Sequence, residues 1–230
     1  MPTEICDSSS IANIAAQHIA AELVATIAKE GAVSLALAGG NTPRAIYEAL
    51  AKIPGINWAA VSVYFGDERA VPPTDPDSNF QMAEAALFSR VALLPANIHR
   101  IHGEDPDHDA AARAYDALLP ASISIMILGI GEDGHTASLF PGSPALNERT
   151  RRVLPVIGPK PPPQRLSVTP KVIEAAGLCI VIATGAGKAD AVARALQGPL
   201  DIHATPSCLA RSGLWLLDHA AAAKLTQPAL

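Results

Sequence analysis

The sequence predicts an α/β fold in which helices pack on a mainly parallel sheet. Two observations carry this. Apolar runs of strand length alternate with longer segments of helical period through most of the chain. The hydrophobic fraction is 49% while aromatics are only 4%, so Ala, Val, Ile and Leu make the core, as suits strands buried on both faces.

The elements follow in order. Ser8, Ser9 and Ser10 offer capping hydroxyls, Ile11, Ile14, Ala15, Ile19, Leu23 and Ile27 give the next helix a broad apolar face, and Gly31 supplies its stop. Residues 33–38 read as a strand ending at Gly39-Gly40-Asn41-Thr42-Pro43, and Pro43 fits the first turn of a helix over 44–52. Residues 61–65 form a second strand, ending at Gly66-Asp67-Glu68-Arg69. Helices are expected over 80–88, entered through Asp77-Ser78-Asn79, and over 109–118. The third strand, 123–128, runs into Gly129 and then Glu132, Asp133 and His135. Residues 155–170, with Pro161-Pro162-Pro163, are too Pro-rich for a helix or a central strand and read as a rigid extended loop or a substrate-facing one. A fourth strand, 178–183, ends at Thr184-Gly185-Ala186-Gly187-Lys188 and passes into a helix over 189–196. A short strand over 214–217 precedes an Ala-rich tail expected to be helical. No repeat or composition break divides the chain, so residues 1–230 are read as a single domain.

Composition narrows the function. A net charge of −5 with no basic run argues against nucleic acid as a partner. No consecutive apolar run approaches the roughly 20 residues of a membrane span, and residues 1–10 lack the pattern of a signal peptide. Cys6, Cys179 and Cys208 are scattered without metal-type spacing and read as reduced thiols of a cytoplasmic protein.

Four strands thus end in loops with unusual chemistry, and ligands of an open α/β sheet bind at the carboxyl ends of strands. Any one Gly-rich turn is ordinarily only a tight turn. Parallel strands would gather all four on one edge. Gly39, Gly40, Asn41 and Thr42, leading into a helix, offer backbone N–H groups and a hydroxyl to a phosphate. Arg69, Lys160, Arg165 and Lys188 fall in these loops or the Pro-rich one and are read either as exposed charge or as a local phosphate pocket. His135 beside Asp133 suggests a general base and its orienter.

Three tempting motifs fail on context. Gly129-x-Gly131-x-x-Gly134 has dinucleotide spacing, but Glu132 and Asp133 stand where pyrophosphate would approach and Pro141 cuts short the required helix. Gly187-Lys188 is preceded by Ile182 and followed by Ala189 where a nucleotide-binding loop needs Gly and Ser or Thr, leaving Lys188 as a point charge for phosphate. His99, His102, Glu104 and His108 fit no tight tetrahedral spacing and read as surface-loop residues, not a metal site.

Four segments together resemble the 6-phosphogluconolactonase family: Leu37-Ala-Gly-Gly-Asn-Thr-Pro43, Phe65-Gly-Asp-Glu-Arg69 with Ser78-Asn79, Leu128-Gly-Ile-Gly-Glu-Asp-Gly-His-Thr-Ala-Ser-Leu-Phe-Pro-Gly142, and Pro159-Lys-Pro-Pro-Pro-Gln-Arg165. Their order and spacing run over nearly the whole chain, and the third is the most specific. The related glucosamine-6-phosphate deaminases usually read Ile-Ala-Phe-Asn-Glu-Pro after Asp-Gly-His, and Asp-Glu-Tyr where this chain has Asp67-Glu68-Arg69; both differences favour the lactonase. Gly158 and Ser167 depart from the residues frequent in the family.

The resemblance implies a three-layer, Rossmann-like sheet of the ribose-5-phosphate isomerase and CoA transferase kind. It implies hydrolysis of 6-phospho-D-glucono-1,5-lactone, the second step of the pentose phosphate pathway, without metal or organic cofactor, with the sugar-phosphate lactone as partner; the sequence leaves open whether the chain is a monomer or a small homo-oligomer. On this reading neutral His135 takes a proton from the attacking water, an imidazole having a reference pKa of about 6.5. Asp133 or Asp67 orients the ring, and glycine-loop N–H groups or Arg69 stabilise the oxyanion. Gly40, Asn41, Thr42, Arg165 and Lys188 hold the phosphate. A covalent route through Ser138 is disfavoured because the Gly-x-Ser-x-Gly elbow is missing.

Overall fold

A computed structural model describes residues 2–226. The strands are β1 (Thr3–Cys6), β2 (Val33–Leu37), β3 (Val61–Phe65), β4 (Asp67–Arg69), β5 (Ile125–Gly129), β6 (Val153–Ile157), β7 (Gln164–Val168), β8 (Leu178–Ala183) and β9 (Leu214–Asp218). The helices are α1 (Ile11–Glu30), α2 (Asn41–Leu50), α3 (Asn79–Ala86), α4 (His108–Leu118), α5 (Pro170–Ala175) and α6 (Ala189–Gln197). Six strands form a parallel sheet in the order β1-β9-β8-β5-β2-β3, and β4-β7-β6 form a small antiparallel sheet.

The sheet order explains the layers. Parallel crossovers are right-handed. The step from β2 to β3 moves one way across the sheet, while β5 to β8 to β9 moves the other way. The helices of the two halves therefore flank opposite faces: α1 and α2 pack on each other, while α5 and α6 gather at residues 206–210. The direction reverses between β2 and β5, and a crevice opens at such a switch point, outside the carboxyl ends of the strands.

Strands β2, β5, β8 and β9 are almost wholly buried, the consequence of nearly continuous apolar runs covered on both faces. Two buried tyrosines close the ends of the site-bearing strands. The Tyr47 hydroxyl accepts from the Ala38 N–H and donates to the Ala38 carbonyl, both at 2.9 Å. The Tyr115 hydroxyl does the same for Phe65, at 2.7 and 3.0 Å. Backbone groups that leave a ladder inside the protein need such partners.

The expected strands and helices are present, with shifted ends. Helix α2 begins at Asn41, so Asn41 and Thr42 are its first residues and not a preceding loop. The tail is a correction: residues 219–224 form turns, not a helix, and residues 227–230 lie outside the described residues. Asp218 explains the turn, because its carboxylate accepts the Ala221 N–H at 2.7 Å. By length and composition α1 could cross a membrane, although polar residues such as Gln17, His18 and Glu22 interrupt its apolar run; its Ala15, Ala16, Ile19 and Leu23 are buried in the core.

The Pro-rich region is the second correction. It holds a hairpin, β6 and β7, to which β4 adds as a third strand. Pro155 is tolerated because β6 is an edge. The Arg152 carbonyl accepts from Thr169 and the Gly158 N–H donates to Pro163, so even-numbered backbone groups face β7. The missing N–H of Pro155 falls on the free side, where it also blocks strand addition.

Candidate active site

The loop after β5 is shaped by its own backbone. Gly131 N–H donates to the His135 carbonyl at 2.8 Å, and Gly134 N–H to the Gly131 carbonyl at 3.0 Å. Gly134 has φ +96°, a conformation that L side chains rarely adopt. A Cβ at Gly131 would fall inside the His135 ring and the Asp133 carboxylate, so this glycine makes the space for both. Thr136 Oγ1 ties the loop back to the Gly129 carbonyl at 2.9 Å, and Arg194 Nη2 donates to the Asp133 carbonyl at 3.2 Å.

Within this loop His135 Nδ1 lies 2.6 Å from Asp133 Oδ1, which also accepts the His135 N–H at 3.1 Å. The imidazole packs against Phe140 with ring centroids 4.7 Å apart. Nε2 has no hydrogen-bond partner among the described residues. A carboxylate at Nδ1 fixes the proton there and leaves the Nε2 lone pair as the acceptor. Burial pushes the Asp133 carboxyl up, but the His135 amide, the imidazole charge and the side-chain bond outweigh it and hold the pKa below the ordinary aspartate value.

Asp67 does not meet His135 in any hydrogen bond. Its Oδ2 accepts the Ser138 hydroxyl at 2.6 Å, and its Oδ1 and carbonyl accept Asn79 Nδ2 at 3.2 and 2.8 Å. Of the two candidate orienters the structure therefore pairs Asp133 with the imidazole. Ser138 is fully buried, with its hydroxyl committed to Asp67, which further disfavours it as a nucleophile. Glu68, also buried, accepts from the Arg69, Asn79 and Phe80 amides and the Ser78 hydroxyl. Burial pushes its carboxyl up against the pull of those amides.

The remaining residues lie as follows. Gly40, φ +110°, precedes α2, whose first turn presents the amides of Asn41 and Thr42 without intrahelical partners. Gly39 admits the Asn79 side chain so closely that no Cβ would fit. Thr42 Oγ1 meets Thr184 Oγ1 at 3.1 Å, joining the ends of β2 and β8 across β5. Lys188 closes the turn after β8, its N–H donating to the Gly185 carbonyl at 3.0 Å. Arg69 and Arg165 are register partners in the small sheet. Arg69 donates to the Asp77 carbonyl, and its Nε is buried without a partner. Arg165 donates to the Pro162 and Lys160 carbonyls at 3.1 and 3.3 Å and lies 5.7 Å over the Phe140 ring. Burial lowers its pKa, with Asp67 opposing. Lys160 is exposed in the hairpin turn.

His99 stacks on Tyr64 at 4.6 Å and Glu104 pairs with Arg100 at 2.7 Å. Among the described residues no three His, Cys, Asp or Glu side chains cluster as a metal site would require. Sequence reasoning gave no functional role to Asn79, Arg194 or Asp218, although Asn79 stands in one of the segments that resemble the family. Asp218 left a signal of another kind, a carboxylate at the carboxyl end of a buried parallel strand.

A parallel sheet that reverses direction between β2 and β5, with an open helix start after one and a His–Asp pair after the other, defines a Rossmann-like α/β protein. The chain belongs to the family described as glucosamine-6-phosphate isomerases/6-phosphogluconolactonase, whose model matches residues 6–215. The 6-phosphogluconolactonase of Streptomyces coelicolor is 39% identical to it over 95% of this chain and 92% of its own length. The solved 6-phosphogluconolactonase of Trypanosoma brucei superposes with a TM-score of 0.86 at 27% identity, covering 98% of each chain. A monomeric glucosamine-6-phosphate deaminase also superposes at 0.86, with 22% identity over 97% of this chain and 100% of its own, and shows the shared fold alone.

Proposed function

We propose that this chain hydrolyses 6-phospho-D-glucono-1,5-lactone to 6-phosphogluconate, in the oxidative branch of the pentose phosphate pathway. The observation that carries the reading is the Asp133–His135 pair with its unengaged Nε2. Nε2 takes a proton from water, and the hydroxide attacks the lactone carbonyl carbon. The oxyanion is stabilised by glycine-loop amides or Arg69. Collapse breaks the bond to the ring oxygen, which receives the proton from His135, so the imidazole returns to its starting state. Asp133 steadies the imidazolium between the two transfers.

The α2 start with Gly39, Gly40, Asn41 and Thr42, together with Lys160, Arg165 and Lys188, is assigned to the phosphate. Anchoring the far end of the sugar positions its carbonyl against the base. Neither chemistry nor binding in this scheme calls for a metal or organic cofactor. Free Cys6, Cys179 and Cys208 suit the reducing cytoplasm, where this pathway's sugar phosphates occur.

The test is hydrolysis of freshly generated 6-phosphogluconolactone measured against its spontaneous opening. A large acceleration is expected, with no ammonia released from glucosamine 6-phosphate. Ammonia release without lactone hydrolysis would assign the site to the deaminase branch; binding of 6-phosphogluconate with neither turnover would make it a sensor.

A further inference from the structure

Asp218 takes no part in the chemistry above, yet it is a carboxylate only 3% exposed at the end of β9. No cation pairs with it among the described residues; its donors are backbone amides. Both oxygens accept the Gly185 N–H, at 3.1 and 2.9 Å, and Oδ1 also accepts the Ala221 N–H. Gly185 lies two residues past the end of β8, where the ladder with β9 has stopped and its amide has no strand partner. Its φ is +90°, and from it the chain turns through Ala186 and Gly187 to Lys188, whose N–H returns to the Gly185 carbonyl. Next to the clamped amide, the Thr184 hydroxyl meets that of Thr42 in the first turn of α2. On the other side, Glu132 lies against Gly187, where a Cβ would sit 2.8 Å from its carboxylate oxygen.

We propose that Asp218 is a positioning residue for phosphate capture: by clamping the Gly185 amide it fixes the turn that carries Lys188 beside the α2 start. This rests on the assignment of Lys188 to the substrate phosphate. A charge-assisted N–H to carboxylate bond is roughly twice as strong as a neutral one. It holds the first residue of a turn that would otherwise be tethered only by its own backbone. An Asn whose oxygen takes the place of Oδ1 can still accept both amides, but it carries no charge, and its NH2 replaces the oxygen 2.9 Å from the Gly185 N–H, setting donor against donor, so the clamp on Gly185 is weakened.

The experiment compares Lys188→Ala, Asp218→Asn and the double variant in lactone hydrolysis, with inorganic phosphate as a competitive inhibitor. Lys188→Ala is expected to raise KM about tenfold, the scale of losing one charge-assisted contact. Asp218→Asn is expected to raise KM and the phosphate Ki together, with kcat held, and to add little in the Lys188→Ala background. Damage that is merely structural would lower kcat or the amount of folded enzyme without a matched change in phosphate Ki. A silent Lys188→Ala removes the phosphate assignment and this inference with it. An effective Lys188→Ala beside a silent Asp218→Asn, or an Asp218→Asn that lowers kcat at constant KM, overturns the inference alone. Should Asp218→Asn fail to fold, hydrogen exchange on the wild-type chain decides. Gly185 must exchange slowly, with Ala221, and exchange at the rate of an exposed loop amide refutes the clamp.

Discussion

Two acidic turns flank the end of β2, one after β3 and one after β5, and they treat their carboxylates in opposite ways. Asp133 has a side chain 41% exposed, and its side-chain bonds go to one residue, His135. Asp67 and Glu68 are buried, and between them they accept from Ser138, Asn79, Arg69, Phe80 and Ser78. On the proposed mechanism, a carboxylate that steadies a proton's arrival on its partner and its departure is kept simple and near water. Carboxylates that hold backbone and side chains in place are saturated and dry. The first turn is thus expected to govern rate, and the second stability.

The largest effect that tests this division is His135→Ala. Loss of the proton acceptor should lower kcat by up to ~10⁴-fold, with the melting temperature little changed. Asp133→Asn should follow, lowering kcat on the order of 10²-fold by losing the anion that fixes the tautomer and steadies the imidazolium. Glu68→Ala comes next and changes a different quantity. It strands the buried Asn79 amide, the partly buried Arg69 and Phe80 amides and the Ser78 hydroxyl, so urea denaturation should show a loss of about 1–3 kcal/mol, while the enzyme still folded keeps its turnover. An Asp133→Asn variant that loses more stability than Glu68→Ala would break the division.

In the sequence the two turns are nearly indistinguishable. Asp67 follows Gly66 after an apolar strand, and Asp133 follows a glycine-bearing strand end in the same way. What separates them is how far along the chain the partner lies: Ser138 is 71 residues from Asp67, while His135 is two from Asp133. Local spacing therefore reveals the dyad and hides the buried cluster. The same contrast holds for the fold. Val61–Phe65 and Leu178–Ala183 are legible to the residue because each is a short run, apolar but for Ser62, closed by glycine or a polar turn. The β6–β7 hairpin is not, because Pro155 reads as a breaker until its position on an edge is known, and β4 is a strand only because β7 pairs with it. Asp218 needed the strand order, since only the neighbouring places of β8 and β9 bring it to Gly185.

The smallest effect has a sign that differs between the turns. The pKa of Asp133 is lowered in the folded chain, so its contribution to stability is present above the unfolded aspartate value and is lost as pH falls through the folded one. Glu68 is raised by burial, so its contribution is present below the unfolded glutamate value and is lost as pH rises through the folded one. Urea denaturation from about pH 3 to pH 7, a range spanning the reference carboxylate values, reads both. The stability of wild type over Asp133→Asn should grow with pH, and that of wild type over Glu68→Gln should shrink. The Asp133 slope should be the shallower, because solvent screens a half-exposed pair. Parallel slopes would mean that both carboxylates feel the same surroundings, and the distinction between a proton-following turn and a holding turn would then rest on His135 alone.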